Sequence, residues 1–232
     1  MTFPSPIEIL IKAAPYIIGG KQIDIAEILG LARSGMMSGE GVLDEKDIAL
    51  LTLKKKLGAV VVILGTRDTG KTELAYRVAE FLDKPTFAIS PEQKPHPTFI
   101  QNVKIVDMDK IPNNSTVIFD DLPVYASNRD YNESIVRAIE RIIPMVRHER
   151  HWHLIFCSQS AAQADKYVLD CDMAFLKPLG LLMESIERPG VGKIYKDKVN
   201  QWFQGKSEEF IKKHAYMLSR SFEGLIAITK VS

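Results

Sequence analysis

At 232 residues, with 46% apolar and 25% charged side chains, the chain can bury a sizeable core as one α/β domain with modest additions, a better match than two small independent domains. The net charge of +1 describes an ordinary soluble protein and announces no nucleic acid, although a ring can confine basic groups to a channel while its outer surface is acidic. Two cysteines in apolar surroundings, Cys157 and Cys171, read as core thiols rather than a disulfide, and no Cys/His cluster has zinc spacing.

The first stretch, MTFPSPIEILIKAAPYIIGG, carries Glu8, Lys12 and several prolines within its apolar patch, so neither a signal peptide nor a membrane span is expected. The expected location is therefore intracellular, in the cytoplasm, with no stable membrane insertion. Helical apolar spacing recurs over 7–18 and 23–32, Gly19-Gly20 separates the two, and a Gly/Ser-rich connector follows over 34–41. A third helix is predicted from Asp44, as N-cap, to about Lys56. Residues 1–57 thus form a helical extension, either a packing subdomain or a docking surface for a neighbouring subunit.

Ala59-Val60-Val61-Val62-Ile63-Leu64 is an unbroken β-branched run, short enough to be a strand buried on both faces. It stops at Gly65-Thr66-Arg67-Asp68-Thr69-Gly70-Lys71-Thr72, which fits G-x-x-x-x-G-K-[ST], and an amphipathic helix continues over 73–82. Strand, glycine-rich loop and helix in that order are the context a phosphate-binding loop needs. Glycines admit backbone angles and approaches that a Cβ blocks, so several N–H groups can converge on a pyrophosphate at the positive end of the helix. In this pattern Lys71 bridges the β- and γ-phosphates of ATP, and the Thr72 hydroxyl ligates Mg²⁺.

Strands are predicted over 85–90 and 103–106, with a polar loop between them. The apolar Ser115-Thr116-Val117-Ile118-Phe119 then ends in Asp120-Asp121, placing acids at the carboxyl edge of a parallel sheet. Asp120 is the expected second anchor of the Mg²⁺ shell, and Asp121 the group that orients or activates the attacking water. A helix is predicted over 132–145, kinked or ended by Pro144. Residues 147–153, RHERHWH, are the densest basic and imidazole segment. They are either solvated charge or, through Arg147 or Arg150, a source of an arginine acting on a neighbouring subunit's phosphate, with Arg188 a weaker candidate. The strand 154–157 ends at Ser158-Gln159-Ser160, where Gln159 would face the γ-phosphate and the water if this strand lies between the loop strand and the aspartate strand. A strand at 172–176, a basic helical stretch over 193–213 and a hairpin of 216–219 with 224–229 complete the chain.

The order GTRDTGKT, Asp120-Asp121 and the strand-terminal glutamine of LIFCSQS resembles the FtsK/HerA superfamily of P-loop ATPases, and within it the small genome-packaging ATPases of membrane-containing icosahedral viruses. Arg147-His148, or less closely Arg150-His151, stands where members often have an Arg-His pair, whereas Asp121 replaces their more usual glutamate. The resemblance covers about 59–176. It implies a three-layer sandwich of the additional-strand, RecA-like type, formed by 58–232 with its core at 58–176 and accessory elements at 177–232. It also implies a homo-oligomeric ring, hexamer or pentamer, that pumps double-stranded DNA into a preformed capsid, with a capsid or portal-vertex protein as a further partner and an association with the virion. A zonula-occludens-toxin-like or AAA+-like ATPase acting on a protein partner is the alternative.

Overall fold

A computed structural model describes residues 17–18, 21–22, 45–89, 96–120, 142–159, 170–180 and 189–228. Asp121, Arg188, most of the expected 132–145 helix and nearly all of residues 1–44 lie outside these. Two short strands, β1 (Ile17–Ile18) and β2 (Lys21–Gln22), pair antiparallel with one another, so Ile17–Ile18, expected as the end of the 7–18 helix, is strand instead.

The main sheet is built from β3 (Ala59–Leu64), β4 (Thr86–Ile89), β5 (Ile100–Asn102), β6 (Thr116–Phe119), β7 (His153–Ser158), β8 (Met173–Leu176), β9 (His214–Ser219) and β10 (Glu223–Ala227). Its order is β10-β9-β8-β3-β7-β6-β4-β5. The six strands from β8 to β5 are parallel, and β9 and β10 extend the sheet antiparallel beyond β8. The expected C-terminal hairpin is therefore present and is continuous with the central sheet.

The unbroken apolar run of β3 is explained by its two neighbouring layers. Ala59, Val61 and Ile63 face one core with α1 (Glu45–Lys55) and α2 (Lys71–Leu82), while Val60, Val62 and Leu64 face a second. That second core is closed by Ile142 and Val146 on one side and by Tyr195, Val199 and Phe203 of the helical stretch 189–203 on the other. A strand whose every residue is buried leaves no position for a polar side chain. Phe119 and Phe156 stack with ring centroids 4.8 Å apart and tie β6 to β7 on the second face.

One expectation about the sheet is corrected. The strand expected at 103–106 lies earlier, at Ile100–Asn102, and Ile105–Lys110 is a 3₁₀ turn. Ile105, Met108 and Ile111 recur every third residue, which in a 3₁₀ turn puts all three against the second core. Pro144, expected to kink or end its helix, stands just before 142–145 gives way to a wider π-turn, Val146–Arg150, closed by His151 in the left-handed region at φ 54°. There Trp152 N–H donates to the Val146 carbonyl at 3.1 Å, turning the chain into β7.

The helical stretch 189–203 comprises α3 (Pro189–Ile194), a π-turn (Tyr195–Val199) and α4 (Asn200–Phe203). The last helix, α5 (Glu208–Lys213), is capped at its N-terminus by Ser207, whose side chain accepts from the Phe210 N–H. Cys157 is buried, Cys171 half-buried, and the two form no disulfide.

Candidate phosphate-binding site at the carboxyl edge of the sheet

The loop 65–70 leaves β3 and enters α2 suspended between its two neighbouring strands. Gly65 N–H donates to the Ser158 carbonyl at the end of β7, and Thr66 N–H donates to the Pro178 carbonyl beyond β8, each at 3.2 Å. The Thr69 hydroxyl donates to the Thr66 carbonyl at 2.8 Å and holds the loop closed. Asp68 and Gly70 are left-handed at φ 61° and 84°, and Gly70 is the residue before the first turn of α2. Two glycines of the motif thus have separate tasks. A Cβ on Gly65 would lie 2.4 Å from the Lys177 Cβ, and Gly70 needs a backbone angle that side chains resist.

Lys71 begins α2 and donates to the Thr66 carbonyl at 2.7 Å, so its ammonium already reaches across the loop. Thr72, next in the helix, donates to both carboxylate oxygens of Asp120, at 3.1 and 3.3 Å. Asp120 follows β6, is 5% exposed, and receives its place from its N–H, which donates to the Ile89 carbonyl at 3.2 Å. A hydroxyl and a buried carboxylate in contact are hard oxygen donors of the kind Mg²⁺ takes alongside phosphate oxygens and waters, so these two residues fit that ion. Arg67 and Asp68 are exposed on the loop's outer rim.

β7 is inserted between β3 and β6, as Gln159 requires. Leu64 stands opposite Ser158, and Phe119 opposite Phe156, so Gly65, Asp120 and Gln159 come out at one edge of the sheet. Gln159 is half-buried there. The arginines lie elsewhere. Arg150 precedes β7 and so sits at the opposite, amino edge, with its guanidinium 3.6 Å from the Asp109 carboxylate and 5.1 Å over the Trp152 ring. The Arg147 backbone lies in the same π-turn. Six residues of β7, about 20 Å, separate these positions from the loop of their own chain.

Three residues at the carboxyl edge were not singled out by the sequence. Tyr76, one turn after Thr72, shares a 2.6 Å hydrogen bond with His96 Nδ1, and burial, then the nearby Asp120 carboxylate, pushes its pKa up to about 12. Lys177 follows β8 and is wholly buried, and burial, then Lys71, pulls its pKa down to about 7. A lysine closing the apolar strand MAFLK was the available signal.

A parallel sheet with an extra strand between the loop strand and the aspartate strand, and a G-x-x-x-x-G-K-T turn at its carboxyl edge, defines the three-layer P-loop fold. No family model matches the chain, and no curated protein does. Solved structures are similar to it at low identity. Thermomonospora curvata EccC (ATPases 2 and 3), in complex with a signal sequence peptide, is 12% identical over 86% of this chain and 41% of that one, with a TM-score of 0.49. The cytoplasmic domain of the same organism's type VII secretion ATPase EccC is 11% identical over 76% and 24%, also at 0.49. The Thermotoga maritima RuvB Holliday junction branch migration motor is 13% identical over 72% and 52%, at 0.41. The chain spans 24–41% of the length of the EssC and EccC structures it matches. Among the described residues no helix is long and apolar enough to cross a membrane.

Proposed function

We propose that the chain is a Mg²⁺-dependent ATPase that works as an oligomeric ring and moves double-stranded DNA, with genome packaging into a viral capsid as its setting. The observation that carries the catalytic part is the contact of Thr72 with Asp120 beside the loop that Lys71 crosses, with Gln159 emerging from the strand between them.

Each residue has a separable task. The loop N–H groups and the first turn of α2 receive the phosphates. Lys71 exchanges the Thr66 carbonyl for phosphate oxygens, a charge-assisted bond in place of a neutral acceptor. Thr72 and Asp120 hold Mg²⁺, which when bound neutralises charge on the β- and γ-phosphate oxygens. Asp121 orients the attacking water and Gln159 reads the γ-phosphate. An arginine of the amino edge, Arg147 or Arg150, acts on the neighbouring subunit's site, because its own loop is a strand's length away.

The test is ATP hydrolysis measured with and without double-stranded DNA over a range of salt. DNA is expected to raise turnover at low salt, and the gain should fade as salt rises, because each phosphate contact releases counterions. No response to DNA, with a clear response to a protein partner, would count against translocation and for the loading or secretion alternative.

A further inference from the structure

Lys177 is a buried cation that the proposed chemistry does not use. Its N–H donates to the Leu64 carbonyl at 2.7 Å, extending the β3–β8 ladder by one step to the root of the phosphate loop. Its Cβ occupies the space that a side chain on Gly65 would need. Its ammonium runs to the other end of the loop, where it donates to the carbonyls of Ile211 and Lys212 at 2.9 and 3.0 Å. These carbonyls close the last turn of α5, and the Lys212 oxygen lies 3.0 Å from where a Cβ on Gly70 would stand. One side chain therefore braces both glycines that bound the anion cradle.

Packing alone does not require this arrangement. A methionine of similar length would fill the space without the cost of burying an ammonium, and among the described residues no carboxylate compensates Lys177. What the lysine adds is donation to helix C-terminal carbonyls, where a cation is favoured by the dipole, beside the His214 N–H that also donates to Ile211.

We propose that Lys177 is a positioning residue of the phosphate loop, pinning the last turn of α5 over Gly70, so that α5 responds to an occupied cradle. This rests on the nucleotide reading above and adds to it a route from the site to the C-terminal helix.

The test combines titration with ADP and Mg²⁺ and amide hydrogen exchange across 208–216, on the full chain and two variants. In the wild-type chain, bound ADP should slow exchange at Ile211–His214 by about tenfold or more, the range typical of coupled sites. Lys177→Met should weaken ADP binding by about tenfold and abolish that slowing. Ser207→Ala removes the cap at the far end of α5, away from the loop, and should weaken ADP binding about threefold if the loop depends on α5. A purely structural lysine would lower the melting temperature and leave ADP affinity within about twofold, and that result in Lys177→Met overturns the proposal. Should Lys177→Met fail to fold, unchanged affinity in Ser207→Ala or unmoved exchange at α5 in the wild type overturns it equally. A wild-type chain that binds no ADP overturns the nucleotide reading itself, and this inference with it.

Discussion

The two edges of the sheet both bury charged and polar side chains, yet they use them in opposite ways. At the amino edge the partners match in kind. His153, wholly buried, accepts from Lys84 at Nδ1 (2.9 Å) and donates from Nε2 to the Leu53 carbonyl (3.1 Å). Asp172 takes Lys56 at 2.5 Å and the Val60 N–H at 2.8 Å, and Trp152 donates to the Pro112 carbonyl at 2.6 Å beneath Arg150. At the carboxyl edge Lys71 and Lys177 donate to backbone carbonyls, and Asp120 accepts from a hydroxyl. A phosphate or a divalent cation offers Lys71, Thr72 and Asp120 stronger partners than the ones they have, whereas Lys177 lies beneath them and holds α5 in place. Burial of charge alone therefore does not mark a site; what marks it is exchangeable partners beside backbone that no Cβ obstructs.

Four experiments press on this contrast. Lys71→Ala should cut ATP turnover by roughly 10³-fold, the upper range for removing a donor to developing charge, and move the thermal midpoint by less than about 4 °C. A retained turnover would make the carboxyl edge as structural as the amino edge. Gly65→Ala at φ 155°, with its new Cβ 2.4 Å from that of Lys177, combines backbone strain with overpacking. It should cost about 4 kcal/mol and lower the midpoint on the order of 10 °C in calorimetry.

The third experiment follows stability against pH. Burial, then the charge on Lys84, lowers the His153 pKa from 6.5 to about 4, so the folded state resists a proton that the unfolded chain accepts. Between those values the unfolded state binds more protons, and stability is lost as pH falls from about 6.5 to about 4, by about 2–3 kcal/mol at most. His153→Gln should flatten that part of the curve in denaturant titrations, and an unchanged slope would remove His153 from the amino-edge account. The smallest effect belongs to Arg150→Ala. Its pair with Asp109 is largely solvent-screened, so stability should fall by only about 0.5–1 kcal/mol, read as a shift of about 1–4 °C. Mixing Arg150→Ala with Lys71→Ala chains should restore turnover where the arginine crosses to a neighbour, and no restoration assigns Arg150 to the fold alone.

Much of the candidate phosphate site was legible because its parts are local. Gly65 to Thr72 is contiguous, and the strand before it and the helix after it have periods that the residues display directly. Asp120 and Gln159 were legible for a related reason, since each ends an apolar strand and strand ends in a parallel sheet collect at one edge. The misplaced strand at 103–106 failed on the same logic, because a period of three and a period of two cannot be told apart over four residues such as Val103 to Val106. Arg150 could be read as charge but not as location, since its distance from the loop depends on the length of β7 and on how the strands stack.

Residue order by itself determined the buried central strand, the glycine-bounded loop and the lysine and threonine that follow it, because each rests on backbone geometry within a few neighbours. Tertiary structure alone decided that Lys177 and the end of α5 enclose that loop. Between Gly65 and Lys212 lie well over a hundred residues, and only the antiparallel return of β9 alongside β8 brings the carbonyls of α5 over Gly70. A contact made by chain reversal at that range leaves no period or motif in the sequence, and so it first becomes visible in the fold.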